Sequence, residues 1–143
     1  MDPTIHFITV ATGNLDAARS FYQRGLGWRP LADVPGEIIF FQTGPSLVLG
    51  LYDKAAFAAD LGRPASETRI DGLTLSHNVE SPGAVDRTVE RMLSAGATLI
   101  SSPRHAAFGG YHGHVTDPNG VVWEIAHNPG WHVDDDGKVT LST

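Results

Sequence analysis

Residues 109–131 read GGYHGHVTDPNGVVWEIAHNPGW, and Asp117-Pro118-Asn119-Gly120 at the centre governs how the rest is placed. Asp first, Pro second and Gly fourth match a type I turn closed by a left-handed glycine. The corresponding three-residue hairpin loop sets Asp117 opposite Val121. Counting back, His114 lies opposite Glu124 and His112 opposite Ala126. Side chains alternate along a strand, so His112, His114, Glu124 and Ala126 share one face. Tyr111, Gly113, Val115, Trp123 and Ile125 take the other, a bulky apolar set suited to packing beneath a helix. A slip of one residue would part His114 from Glu124. Two imidazoles beside a carboxylate make either a polar surface satisfied by its own hydrogen bonds or a ligand-contacting site.

The same punctuation recurs upstream. Ile5 to Ala11 is short and rich in β-branched residues, which predicts a strand. Asn14 then caps a helix with Leu15, Ala18, Phe21 and Tyr22 at helical spacing, stopped by Gly25 and Gly27. EIIFFQTG and SLVLGLYD, parted by Thr43-Gly44-Pro45, predict a hairpin. Lys54 to Arg69 predicts a short helix running into a surface linker. Leu73 to Val79 then reads as a strand, and Ser81-Pro82 starts a helix with Val85, Val89, Met92 and Leu93 on one face, ending at Gly96. Thr98 to Ser102 is a further strand. The order strand–helix–strands thus occurs twice. The expected fold class is α+β: two βαβββ modules forming one curved mixed sheet with a central cup and helices outside. The expected bounds are 4–53 for module one, 54–70 for the linker, 71–128 for module two and 129–143 for a C-terminal tail.

At 143 residues the chain suits one ordinary domain, and its 41% hydrophobic and 18% charged content is that of a globular protein. Ten basic against sixteen acidic residues give a net charge of −6, which argues against nucleic acid as a partner. The chain has no cysteine, which excludes disulfides, thiolate metal sites and cysteine nucleophiles. No apolar run approaches the ~20 residues of a membrane span, and the N-terminus lacks the pattern of a signal peptide. A cytoplasmic protein without a membrane partner is the expectation.

FITVATGNLDAARSFYQRGLGWRP together with HVTDPNGVVWEIAHNP resembles the vicinal oxygen chelate superfamily, which includes glyoxalase I, extradiol dioxygenases and bleomycin-resistance proteins. The resemblance runs over nearly the whole chain and implies the paired-module scaffold, on which many chemistries are built. It also implies where metal-dependent members place their ligands. Seven residues before the helix-capping Asn14 stands Phe7; the late position of the first half falls near Leu49 or Gly50; the second half opens at Leu73. Only Glu124 among these positions is a ligand type. Metal sites of this kind need about three protein ligands, so no metal and no cofactor is expected. A displaced site built from His112, His114 and Glu124 is the alternative.

The expected function is metal-independent binding of an apolar or aromatic small molecule, such as an antibiotic, in the cup. Phe7, Thr9, Leu49 and Leu73 would form its floor, with Trp28 and His77 as walls and Tyr111, His112, His114 and Glu124 as a polar rim. His105, Phe108 and Tyr111 flank Gly109-Gly110, either a lid or a plain surface loop. The alternative is an enzyme, with Glu124 and His114 as acid and base of a metal-free lyase or isomerase, or a metal-dependent glyoxalase- or dioxygenase-like activity. A homodimer is implied by the resemblance. Trp131 is a wall or interface residue, His127 and His132 are ordinary, and Asp134-Asp135-Asp136-Gly137 reads as a solvated turn into a terminal strand.

Overall fold

Strand β1 (Phe7–Thr12) ends one residue short of Asn14, whose side chain accepts a hydrogen bond from the Ala17 amide at 2.9 Å and so starts α1 (Leu15–Ala18). The helix continues as a π-helical segment (Arg19–Gly25) carrying Phe21 and Tyr22 into the core. Strands β2 (Ala32–Val34), β3 (Ile38–Gly44) and β4 (Leu47–Asp53) complete the first module. In this computed structural model, which describes residues 1–107 and 109–141, the sheet order is β1-β4-β3-β2, with β1 parallel to β4 and the other pairs antiparallel. Helix α2 (Lys54–Asp60), capped by Asp53, and a 3-10 turn (Ala65–Glu67) follow.

The second module repeats the plan. Strand β5 (Thr74–Asn78) leads to Ser81, whose hydroxyl accepts from the Ala84 amide and caps α3 (Pro82–Ser94). Ala84, Val85, Val89 and Met92 are the buried stripe of that helix. Strands β6 (Thr98–His105), β7 (Tyr111–Thr116) and β8 (Val122–His127) give the order β5-β8-β7-β6, again with the first and last strands parallel. A hairpin of β9 (Trp131–Val133) and β10 (Val139–Leu141) follows, its turn held by Asp134 Oδ1 accepting from the amides of Asp136 and Lys138. The chain falls into two compact units, Met1–Asp71 and Gly72–Thr143.

The α+β class and the doubled βαβββ order are those the sequence indicates. The hairpin at Asp117 has the expected register, with His114 opposite Glu124 and His112 opposite Ala126. The Asp117 amide donates to the Val121 carbonyl at 2.9 Å, and Asp117 Oδ1 accepts from the amides of Asn119 and Val121. Three features go beyond what the sequence indicates: strand β2, strand β9, which includes His132 and pairs with the expected terminal strand, and the run of β6 through Pro103 to His105 by way of register shifts beside Ser101. Phe108 and the last two residues lie outside the described residues.

Each module packs one sheet face beneath its helix. In the first, Phe21, Tyr22, Ile39, Phe41 and Leu51 are almost wholly buried, and the Tyr22, Trp28 and Phe41 rings meet with centroids 5.2 to 5.7 Å apart. In the second, Val115, Trp123 and Ile125 are buried, and the Tyr111 hydroxyl donates to Asp86 of α3 at 3.0 Å. The face turned away from that helix carries the residues of chemical interest in each module.

Candidate functional site

Cap and register together align the two modules residue by residue. Asn14 and Ser81 both cap through the third residue of their helices. Thr9 is in register with Gly50, and Ser76 with Glu124; Thr9 and Ser76 each stand five residues before their cap. Phe40 lies opposite Gly50 as His114 lies opposite Glu124, and Ile38 lies opposite Tyr52 as His112 lies opposite Ala126. One set of backbone positions therefore bears Thr9, Gly50, Phe40 and Ile38 in the first module. In the second it bears Ser76, Glu124, His114 and His112.

The second set is joined through one carboxylate. Glu124 Oε2 lies 3.0 Å from His112 Nδ1 and 3.2 Å from His114 Nε2, while Oε1 accepts from Ser76 Oγ at 3.1 Å. His114 Nδ1 in turn meets Ser101 Oγ of β6 at 3.0 Å. The imidazole centroids are 5.0 Å apart, and all three side chains are half-buried. Burial is the largest influence on the Glu124 carboxyl and pushes its pKa up. The hydrogen bonds from His112 and Ser76 and the charges of His114 and His112 together outweigh it, and the pKa lies below its ordinary 4.5.

Three of the first set, Thr9, Ile38 and Phe40, line a pocket of about 550 Å³. Its walls are Phe7 and Thr9 of β1, Ile38 and Phe40 of β3, Tyr52 of β4, and Phe57 and Leu61 at the helix α2 side. Phe7 and Phe40 meet edge to face at 6.0 Å, as do Tyr52 and Phe57 at 6.2 Å. Gly50 lets two of these walls pack closely over it: a Cβ there would come within 3.1 Å of the Phe40 ring and 3.2 Å of Thr9 Oγ1. Glu37 and Asp60 add negative charge to the rim. Desolvation, then the charges of Asp60, Glu37 and Asp53, raise the pKa of the Tyr52 phenol.

The remaining sequence candidates are dispersed. Leu49 alternates with Gly50 and is only 2% exposed, in the core with Phe41 and Ile39, so it does not share the face of Phe7 and Thr9. The two faces of β4 are both apolar, which hides their parity from the sequence. Leu73 precedes β5, and by cap and register the counterpart of Phe7 is Thr74. His77 alternates with Ser76 and is in register with Ile125, on the face away from Glu124. Trp28 stacks in the first module's core, and Tyr111 faces α3 with its ring 5.1 Å from His105. Gly109-Gly110 is tied down by Gly109 donating to Ala106 and Ala106 donating to Gly110. Phe108, named with that loop, lies outside the described residues. Ile38, Phe40, Tyr52 and Phe57 as pocket walls, and Ser76 and Ser101 as partners of the polar cluster, emerge only in the structure.

The ligand positions implied by the resemblance do not fit a metal. Phe7, Gly50 and Thr74 offer no imidazole or carboxylate to accompany Glu124.

Among the curated proteins none matches the chain. Among solved structures it is similar to a glyoxalase-related enzyme from Fulvimarina pelagi, with 36% identity, TM-score 0.90 and 99% of each chain covered. It is also similar to a glyoxalase/bleomycin resistance protein/dioxygenase family enzyme from Burkholderia phytofirmans PsJN, at 25% identity and TM-score 0.74, over 85% of this chain and 96% of that one. The fold alone is shared with lactoylglutathione lyase from Agrobacterium tumefaciens, at 23% identity and TM-score 0.67, over 88% and 94% of the two chains. A family model matches residues 4–125, from before β1 to within β8 and so across both modules, the Asp117 hairpin and Glu124: the chain belongs to the Glyoxalase/Bleomycin resistance protein/Dioxygenase superfamily.

Proposed function

We propose that the protein binds a small molecule with an aromatic or apolar body and a cationic end in the pocket of its first module. The observation that carries this reading is the pocket itself. Its volume of about 550 Å³ lies within the usual range for small-molecule sites, and four aromatic rings line it below the carboxylates of Glu37 and Asp60. Its walls supply the binding energy without a metal, in keeping with sequestration of an antibiotic-like compound. Exposed Trp131, Val133, Val139 and Leu141 on the β9–β10 hairpin favour a homodimer, which light scattering tests.

The test uses two naphthalene probes, one bearing a trimethylammonium group and one a sulfonate, titrated calorimetrically. One saturable site per chain is expected, tighter for the cation, and weakened about tenfold or more by Phe40→Ala. Absence of saturable binding, or affinity indifferent to Phe40→Ala, overturns the reading. A second reading, acid–base catalysis by Glu124 with His114, is favoured by their contact at 3.2 Å. A bound compound recovered as a changed product, with the change abolished by Glu124→Gln, would establish it over sequestration.

A further inference from the structure

The polar cluster of the second module has the composition and spacing of a cation site that shares only Glu124 with the positions the family resemblance indicates. We propose that His112, His114 and Glu124 bind one divalent first-row transition metal ion, of the zinc class, on the face of the β7–β8 hairpin.

Three observations support it. The ligand atoms, one from each residue, all lie within 4.8 Å of one another. Two of the separations, 3.0 and 3.2 Å, run from the same Glu124 oxygen to the two imidazole nitrogens. Donors about 2.1 Å from a metal stand about 3.0 to 3.4 Å apart in octahedral or tetrahedral geometry, so the Glu124 oxygen already stands at ligand spacing from each imidazole nitrogen. Secondly, the outer contacts already direct the inner ones. Ser101 Oγ engages His114 Nδ1, which leaves Nε2 as the ligand nitrogen, and Ser76 Oγ engages Glu124 Oε1, which leaves Oε2 facing the imidazoles. Thirdly, all three ligands stand on two adjacent antiparallel strands whose register is fixed by the Asp117 turn. Two neutral nitrogens and one carboxylate suit zinc, iron(II), cobalt(II) or nickel(II) better than magnesium or calcium. They also leave coordination positions for water or for an oxygen of a substrate.

The first module is a contrast within the same chain. There the equivalent positions hold Ile38, Phe40 and Gly50, which can bind no ion. The inference is independent of the pocket reading: probe binding by the first module requires no metal, and metal binding by the second requires no probe.

The experiment takes the full chain, stripped with a chelator, and titrates it with Zn²⁺ by calorimetry and with Co²⁺ by visible absorption. The expected result is one ion per chain at micromolar affinity or tighter, with ligand-field bands on cobalt binding. His114→Ala and Glu124→Gln each weaken it about a hundredfold or more, since two donors remain. Ser101→Ala weakens it about tenfold through the orientation of His114, and His132→Ala leaves it unchanged. Should the substitutions disturb folding, ¹⁵N shifts of the imidazole nitrogens in the unsubstituted protein decide the matter: Zn²⁺ must move His112 Nδ1 and His114 Nε2. Binding without those shifts, binding retained in both variants, or no stoichiometric binding overturns the proposal.

Discussion

Ser76 and Glu124 are joined across the parallel β5–β8 pair by a 3.1 Å hydrogen bond from Oγ to Oε1, while the other carboxylate oxygen meets His112 and His114. The pKa of Glu124 in the folded chain is therefore depressed below 4.5. A depressed carboxylate contributes stability that is present above its unfolded pKa and lost as pH falls through the folded value. Glu124→Gln removes that dependence. Urea denaturation from about pH 6 down to about pH 3 should show the variant losing less stability on acidification than the parent protein. Parallel pH profiles would refute the linkage.

Gly113, between the two histidines, has a different constraint. A Cβ there would lie 3.0 Å from both the backbone nitrogen and Cγ of Pro103, on the neighbouring strand β6. The contact is with ring and backbone and not with the end of a flexible side chain, so relief requires the strands to part. Gly113→Ala should cost about 2–3 kcal/mol in chemical denaturation. A loss below about 0.5 kcal/mol would show that β6 yields freely.

In the first module, Arg19 Nε and Nη2 grip the Asp33 carboxylate at 2.9 and 2.7 Å and tie the π-helical segment to β2. The hydrogen bond from Arg19 is the main cause that lowers the Asp33 pKa below 3.8. The pair is partly exposed, so Asp33→Asn should cost only about 1 kcal/mol near neutral pH. Because the folded pKa is lowered, that difference is lost as pH falls below 3.8 and through the folded value. A difference that persists undiminished in acid would point to packing and not to charge.

Gly50→Ala tests the pocket through Phe40 and Thr9, two of its walls. The added methyl meets the Phe40 ring and Thr9 hydroxyl at 3.1 and 3.2 Å, so the ring must shift into the space a ligand would use. Affinity for the trimethylammonium naphthalene probe should fall about fivefold to tenfold, at a stability cost of about 1 kcal/mol or less. Unchanged affinity would place the probe elsewhere.

The parts legible from sequence were those written in local chemistry. The Asp117 turn fixes its loop length, and the loop length fixes the facing of His112, His114 and Glu124. Asn14 and Ser81 mark the helix starts because their side chains satisfy amides three residues on. The neighbour of Glu124 on β5 was not legible, since β5 and β8 are parallel and joined through a whole module, with no turn to count from. Hence sequence spacing points to Leu73, while Thr74 and Ser76 stand beside β8 on the face of Glu124. Leu49 and Gly50 cannot be told apart by pattern because β4 is apolar on both faces. Ile38 and Phe40 were visible only as members of an apolar run, and alternation alone could not tell which of IIFF faced the pocket.

The duplicated backbone gives the chain an internal reference. Two strand pairs with matching register present one set of side chains made for greasy contact and another made of acids and bases. Whatever the fold alone confers is common to both; whatever differs between them belongs to Ile38, Phe40 and Gly50 against His112, His114 and Glu124. Exchanging these residues between the halves would separate scaffold from chemistry within one polypeptide, each half acting as the control for the other.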